Sequence, residues 1–443
     1  MSSSPSVAGP MPGAKAADDQ DRRRLKTVVA SSLIGTTVEF YDFFIYGTAA
    51  ALVFPQLFFP SFSPLAGILA AYATLAIPFL TRPLGAIVFG HYGDRIGRKK
   101  MLILSFMMMG ICTFLIGLLP TFGQIGIWAP ALVIALRLVQ GFAMGGEWGG
   151  ATTMIVEYAP LARRGFFGSF VQMGNVLGLF ISTLVFAILP KQSLLDGNWR
   201  IPFLLSIVLL FVGMVIRSKV EESPVFLKSA REKPAHQRVP VMEVLRHYKR
   251  PMLLAMGMRT GEIVLGWLVI GFLLTYATKT VGFSSEQVLY AILGASGCGI
   301  VTFPLFGALS DRYGRRPVFI FGAIVAAMFA FPFFWMIDAK VASLFYFSII
   351  FGYAIGLGAM YSVQPAFFSE TFDTQVRYTG VSLGVQLANI IGGLTPMIAT
   401  SLVAWSGGKS WPISTFLGIA SLITIACVAA TRETKDISLF KRN

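Results

Sequence analysis

The chain has 443 residues, 55% of them apolar and 13% charged, with a mean hydropathy of +0.71 and a formal net charge of +15. A soluble domain carries nearer a quarter charged residues, and apolar runs of roughly 18 residues or more, enough to cross a bilayer core, recur along the whole sequence, which excludes a water-soluble fold. The basic excess is no nucleic-acid footprint: of 36 Lys and Arg, 28 lie on alternate loops, 5 on the opposite loops, and three (Arg82, Arg137, Arg259) inside apolar runs. Such alternation sets membrane topology, with the rich side cytoplasmic.

In chain order, residues 1–27 show no cleavable signal pattern and read as a retained cytoplasmic tail. Six spans follow, at about 28–52, 64–90, 101–119, 127–157, 163–190 and 200–217, making an N-terminal bundle over 28–217. The polar, basic stretch 218–248, with Pro224, Pro234 and Pro240, cannot span and reads as a cytoplasmic linker. Six more spans, at about 249–279, 286–309, 316–337, 340–369, 375–404 and 410–431, make a C-terminal bundle over 249–431, and 432–443 form a cytoplasmic tail. The expected fold is all-α: twelve transmembrane helices in two pseudo-symmetric six-helix bundles.

The two halves repeat each other. Gly90-His91-Tyr92-Gly93-Asp94-Arg95-Ile96-Gly97-Arg98-Lys99 and Gly307-Ala308-Leu309-Ser310-Asp311-Arg312-Tyr313-Gly314-Arg315-Arg316 both read G-x-x-x-D-R-x-G-R-[RK]. Glu157 precedes Arg164 by seven residues, and Glu370 precedes Arg377 by seven. Parallel repeats of this kind are the build of a secondary transporter. Orientation alone explains Lys99 and Lys100, but not why acids recur with bases at matched spacings. Asp94, Arg95, Arg98, Glu157, Arg164, Asp311, Arg312, Arg315, Glu370 and Arg377 are therefore expected to pair between helices and latch a cytoplasmic gate, with Gly90 and Gly307 in the same motifs.

A charge at mid-bilayer costs about 2.5–3.5 kcal/mol on insertion scales and needs a partner or a watery cavity. The candidates are Glu39 and Asp42, Arg82, Arg137 and Glu147, and Arg259 with Glu262. At about 1.5 Å per residue, Arg82 lies roughly 18 Å from the cytoplasmic turn, and Asp42 and Arg137 fall at similar depth. A carboxylate beside an arginine stays ionised and takes a proton when that arginine is drawn away, so Asp42 with Arg137 forms a candidate proton-coupling pair, with Glu39 a further candidate. The three histidines lie in or beside cytoplasmic loops and cannot carry a proton through the midplane. If Asp42 neutralises Arg137 and Glu262 neutralises Arg259, Arg82 is left to offer a bidentate fork to a substrate carboxylate; pairing with Glu39 or Glu147 is the alternative. Arg259 and Glu262, at i and i+3, read equally as a static ion pair or as part of the site.

Amides fill in a candidate cavity. Gln140 shares the Arg137 face, Gln172 and Asn175 recur as Gln386 and Asn389, and Tyr361 and Gln364 mark the tenth span. Polar pairs at i, i+3 also serve as helix–helix glue; the repeated Q-x-x-N favours the cavity. Tyr41, Tyr46 and Trp148 are candidate walls, and the glycines of Gly145-Gly146-Glu147-Trp148-Gly149-Gly150 read as close packing. Cys112, Cys298 and Cys427 lie in apolar runs without metal-ligand spacing and read as core residues. No metal and no cofactor are expected, the proton being the coupling ion.

These motifs resemble the major facilitator superfamily over nearly the whole chain: the doubled loop motif, Arg137-Leu138-Val139-Gln140-Gly141, and, as in sugar-porter-like members, Glu222-Ser223-Pro224 and Arg432-Glu433-Thr434-Lys435. Glu39-Phe40-Tyr41-Asp42-Phe43-Phe44-Ile45-Tyr46-Gly47 and the Gly145–Gly150 run are similar to the metabolite:proton symporter family. That resemblance implies uptake of an organic acid, or of proline or betaine, with Asp42 and Arg137 matching the proton-coupling pair and Arg82 the carboxylate-binding arginine. Proline/betaine members often carry a C-terminal coiled coil, and the stop at Asn443 sets the expectation against osmosensing. The expectation is a monomeric proton-coupled importer of a small organic acid in a bacterial-type inner membrane, not an enzyme, with both termini cytoplasmic and no nucleic-acid partner. A zwitterion importer is the alternative, then a drug exporter, which the midplane arginines disfavour.

Overall fold

A computed structural model describes residues 12–96, 98–189, 193–218, 246, 248–372 and 377–437. Among them are twelve helices long and apolar enough to cross a membrane, and no strand. In chain order they are α1 (Arg23–Leu52), α2 (Pro64–Tyr92), α3 (Lys99–Leu118), α4 (Trp128–Tyr158), α5 (Leu161–Ile188), α6 (Leu194–Ile216), α7 (Lys249–Val281), α8 (Ser285–Tyr313), α9 (Arg315–Asp338), α10 (Ala342–Thr371), α11 (Thr379–Trp405) and α12 (Trp411–Ala429). Every expected span is matched within a few residues. Of the expected linker 218–248, only Ser218, Arg246 and Tyr248 are described.

Packing repeats the sequence repeat. In the first half α1 packs on α5, α2 on α4 and α3 on α6; in the second α7 packs on α11, α8 on α10 and α9 on α12. The halves meet along α5 with α8 and α2 with α11. One face of the bundle carries the basic loops (the basic face). The opposite, far face is marked by Trp128, Trp335, Trp405 and Trp411, all exposed at helix ends, as interfacial aromatics are in membrane proteins.

Several helices are interrupted along their length. α4 breaks at Gly145–Gly146 between Trp128–Met144 and Glu147–Tyr158. α7 widens into π turns at Leu268–Phe272 and Ala277–Val281, and α10 at Gly352–Leu357, with a further break at Ser362–Val363. α2 carries Pro78 and Pro83 on either side of Arg82. Irregular backbone at membrane depth is tolerated where it is buried in protein or lines a cavity, and π turns cluster at functional sites.

Candidate functional site

A cavity of about 60 Å³ lies between the halves, lined among others by Glu39, Arg82, Asn175, Arg259, Glu262, Tyr361, Gln386 and Asn389 and walled by Phe43, Phe79, Trp148 and Trp267. That is far below the roughly 300 Å³ lower end of small-molecule pockets, so this is a contracted site that must widen to admit a solute. Arg259 is neutralised on its own helix: its Nε donates to Glu262 Oε1 at 2.7 Å. Arg82 is placed differently. Its guanidinium rests on the rings of Phe79 and Phe43, 4.3 and 4.8 Å from their centroids, and one nitrogen donates to the Met144 thioether at 3.0 Å, a weak acceptor. Its buried Nε finds no acceptor among the described residues. Glu39, on the same wall, acts on Arg82 electrostatically.

Behind this cavity, inside the first half, lie Arg137 and Asp42, and the expected ion pair between them is not formed. Arg137 Nε donates to Thr74 O at 3.4 Å, and its two other nitrogens to Leu75 O at 3.2 Å and Gln140 Oε1 at 2.6 Å, while the guanidinium lies 3.8 Å over the Tyr46 ring. The cause is local. Proline at 78 has no N–H to give the carbonyl four residues earlier, so Thr74 O is open to a side-chain donor, and Arg137 fills it. Asp42 is 1% exposed, and neither carboxylate oxygen has a hydrogen-bond partner among the described residues. Thr113 stands beside it, yet the threonine hydrogen goes to Met109 O at 3.1 Å and Gln140 Nε2 donates to the same hydroxyl at 2.7 Å.

The repeated amides cross between the halves in matched fashion. Gln172 Nε2 donates to Tyr361 O at 3.2 Å, while its oxygen accepts from Trp148 Nε1 at 3.1 Å. Gln386 Nε2 donates to Gly145 O at 3.3 Å and Met144 O at 3.4 Å, and Asn389 Nδ2 to Gln386 Oε1 at 2.8 Å. Each glutamine thus reaches the carbonyl end of an interrupted helix, where acceptors lack helical donors. Gln172 and Gln386 are thus ties between the halves, and Asn175, Gln386 and Asn389 line the cavity.

At the basic face the loop charges bridge the halves reciprocally. Glu157 pairs with Arg377 at 3.3 Å, and Arg164 lies 3.9 Å from Glu370. Arg315 binds Asp311 at 2.7 Å and reaches both oxygens of Glu370 at 3.2 Å. The Asp311 carboxylate accepts from Gly165 N and Phe166 N, each at 2.8 Å, so it caps α5 from the other half, where a helix N-terminus favours an anion. Gly307 brings α8 against α5: a Cβ there would meet Gly165 O at 2.6 Å. The C-terminal segment joins in. Thr434 Oγ1 donates to Glu370 at 2.7 Å, Arg164 to Ile437 O at 2.8 Å, and Lys435 Nζ to Arg312 O at 2.9 Å. Glu433 accepts from Arg315 N, Arg316 N, Thr434 N and Lys435 N at 2.8–3.1 Å. Burial works against its charge, but these four N–H groups prevail and hold the carboxyl below its ordinary value of 4.5. Arg312 itself is exposed, stacked at 5.3 Å on Tyr313, and Gly90 is buried in α2. The side chains of Asp94, Arg95 and Arg98 lie outside the described residues.

Five residues expected to bind or wall the substrate do not line the cavity: Tyr41, Tyr46, Gln140, Gln172 and Gln364. Tyr41 is two positions from both Glu39 and Phe43, about 200° round the helix, and its hydroxyl donates to Pro202 O at 2.8 Å on α6. Gln140 is committed to Arg137 and Thr113. Gln364 is fully buried, with neither amide atom hydrogen-bonded among the described residues. Conversely, Phe43, Phe79 and Trp267 were missed. The first two sit one helical turn from Glu39 and Arg82, a spacing that could have drawn them to the same face; Trp267 carries no such signal.

Twelve helices in two repeated halves around a polar central site, closed at one face by charges, define a secondary transporter. A family model described as Major Facilitator Superfamily matches residues 32–393 and 263–440. The Shikimate transporter of Escherichia coli (strain K12) is 41% identical, over 90% of this chain and 93% of that one. The Proline/betaine transporter of the same strain is 30% identical, over 94% of this chain and 85% of that one. Among solved structures, the partially occluded inward open conformation of the xylose transporter XylE from E. coli superposes with a TM-score of 0.70 at 18% identity, covering 93% of this chain and 99% of that one, and shares the fold. The chain belongs to the Major Facilitator Superfamily and, with these relatives, to its metabolite:proton symporter family. It is a multi-pass inner-membrane transporter of small metabolites, not an enzyme.

Proposed function

We propose that the chain is a monomeric, proton-coupled importer of a small organic acid of the shikimate type, working by alternating access with the basic face and both termini cytoplasmic. The observation that carries the reading is Arg82: a buried guanidinium on a central cavity, held by two aromatic faces and a thioether, facing an arginine already satisfied by its own glutamate. A carboxylate would supply the strong, bidentate acceptor that Arg82 lacks among the described residues. The identity to a shikimate transporter, higher than to the proline/betaine transporter, supports an acid. Asp42 is the proposed proton site, since a buried carboxylate costs most when ionised and unpartnered, and neither of its oxygens has a hydrogen-bond partner among the described residues, with Arg137 set behind Gln140 and Thr113 and Glu39 beside the substrate. The crossed pairs Glu157–Arg377 and Arg164–Glu370, with Arg315 and Asp311, act as the cytoplasmic gate.

The test is uptake into proteoliposomes under an imposed inward proton gradient, with labelled shikimate, dicarboxylates, proline and glycine betaine. Shikimate accumulation that collapses with an uncoupler supports the reading; efflux of drugs alone would sink it. Arg82→Lys keeps the charge but loses the planar fork, and its KM should rise about 10- to 100-fold, as losing about 1.5–3 kcal/mol of charged hydrogen bonding implies. A zwitterion is the second reading, because Glu39 and Glu262 share the cavity and could receive a cationic end. Betaine accumulation without shikimate uptake would select it.

A further inference from the structure

We propose that Tyr72 is the latch of the far-face gate, the hydroxyl that seals the central cavity from the outer cleft. That cleft, about 1180 Å³, is lined by Gly67 and Ile68 of α2 and by Thr278 and Lys279 of α7. Ile68 is one turn above Tyr72, and Thr278 one turn above Thr275. Below lie Phe79 and Trp267, walls of the small cavity. Tyr72 therefore stands at the boundary between the two spaces, and it is 0% exposed.

Its contact joins the halves. The Tyr72 hydroxyl donates to Gly271 O at 2.7 Å and lies 2.5 Å from Thr275 Oγ1. The phenol has one hydrogen, and a carbonyl can only accept, so Thr275 donates to the phenol oxygen. Both partners belong to the outer part of α7, where two π turns flank Leu273–Tyr276. This stretch departs most from a regular ladder and is the part of α7 best able to bend. Beneath it, Phe43, Phe79 and Trp267 meet edge to face at 5.3–5.4 Å. These contacts are apolar and unspecific in register; Tyr72 supplies the directional one.

The strength suits a gate. When the outer side opens, the phenol, Gly271 O and Thr275 exchange these bonds for water, so the net preference for closure is that of two ordinary hydrogen bonds. The basic face, by contrast, is shut by buried ion pairs and a helix cap. The shut basic face and the lightly latched far face describe an occluded state that opens outward first.

The measurement needs no substrate, so its failure is separable from failure of the substrate reading. Ile270→Cys places a thiol on the cavity wall just inside the latch. In right-side-out vesicles, a membrane-impermeant maleimide is added outside, and labelling is located by peptide mass spectrometry. Adding Tyr72→Phe removes both bonds and should speed labelling at position 270 by about 5- to 150-fold, the equilibrium shift expected for two neutral hydrogen bonds. Native Cys112, buried in the first half, reports general loosening and should not change. Thr275→Val, which leaves the Gly271 bond, should give a smaller gain, and it carries the measurement if the tyrosine variant cannot be purified. Unchanged or slower labelling at 270, or an equal gain at Cys112, overturns the proposal.

Discussion

Pro78 and Arg137 show how one residue redirects another. The missing N–H at Pro78 opens Thr74 O, and Arg137 spends its Nε there instead of on Asp42. Sequence reasoning named both charges but could not see this, because the competing acceptor is a backbone carbonyl that no side-chain pattern reveals. The consequence for coupling is that Asp42 is kept apart by geometry, in a pocket whose nearest hydroxyl has already committed its hydrogen to Met109 O. Asp42→Asn preserves shape and polarity but cannot gain or lose a proton. In that variant, gradient-driven accumulation of labelled shikimate in proteoliposomes should vanish, while exchange of internal for external substrate persists. A variant that still concentrates substrate would move the proton site to Glu39, Glu147 or Glu262.

At the scale of elements, the broken helices and glycines position the site. Gly145 ends the first part of α4 against the backbone of α2, where an added Cβ would meet Arg82 O at 2.2 Å and Ala86 N at 2.4 Å; at Gly141 it would meet Pro78 O at 2.3 Å. Neither backbone neighbour can rotate away as a side chain could. Gly145→Ala must push α2 outward and carry Arg82 with it. Overpacking of this kind costs about 1–3 kcal/mol, so thermal stability in detergent should fall and KM rise, and a variant with unchanged melting temperature and KM would refute the close contact. The glycine run was legible as packing because six residues with four glycines admit little else. The π turns of α7 and α10 were not, since their apolar residues read equally well as continuous helix; neither was the crossing of Gln172 and Gln386 onto broken helix ends, which depends on breaks in the opposite half.

For the whole molecule, the twofold repeat explains most of what was foreseen. Equal offsets between Glu157 and Glu370 and between Arg164 and Arg377 become exchanged partners once the halves face each other, and a sequence that repeats its charges this way constrains the closed face strongly. The role of the C-terminal segment was hidden, because Glu433 acts on backbone N–H groups at the start of α9. Its charge has a definite pH signature. The folded carboxyl is held below 4.5, so its contribution is complete above the ordinary value and is lost only as pH falls through the depressed one. Between about pH 5 and 7 the C-terminal brace is therefore fully charged and contributes no pH dependence of its own in that window. Glu433→Gln should weaken closure of the basic face, speeding labelling of an introduced Gly168→Cys from the cytoplasmic side, while leaving the shape of the pH profile of shikimate uptake unchanged. Asp42→Asn should do the reverse, flattening the profile without exposing the basic face. If Glu433→Gln moved the profile between about pH 5 and 7, the brace itself would be titrating there, and the separation of gate from proton site would fail.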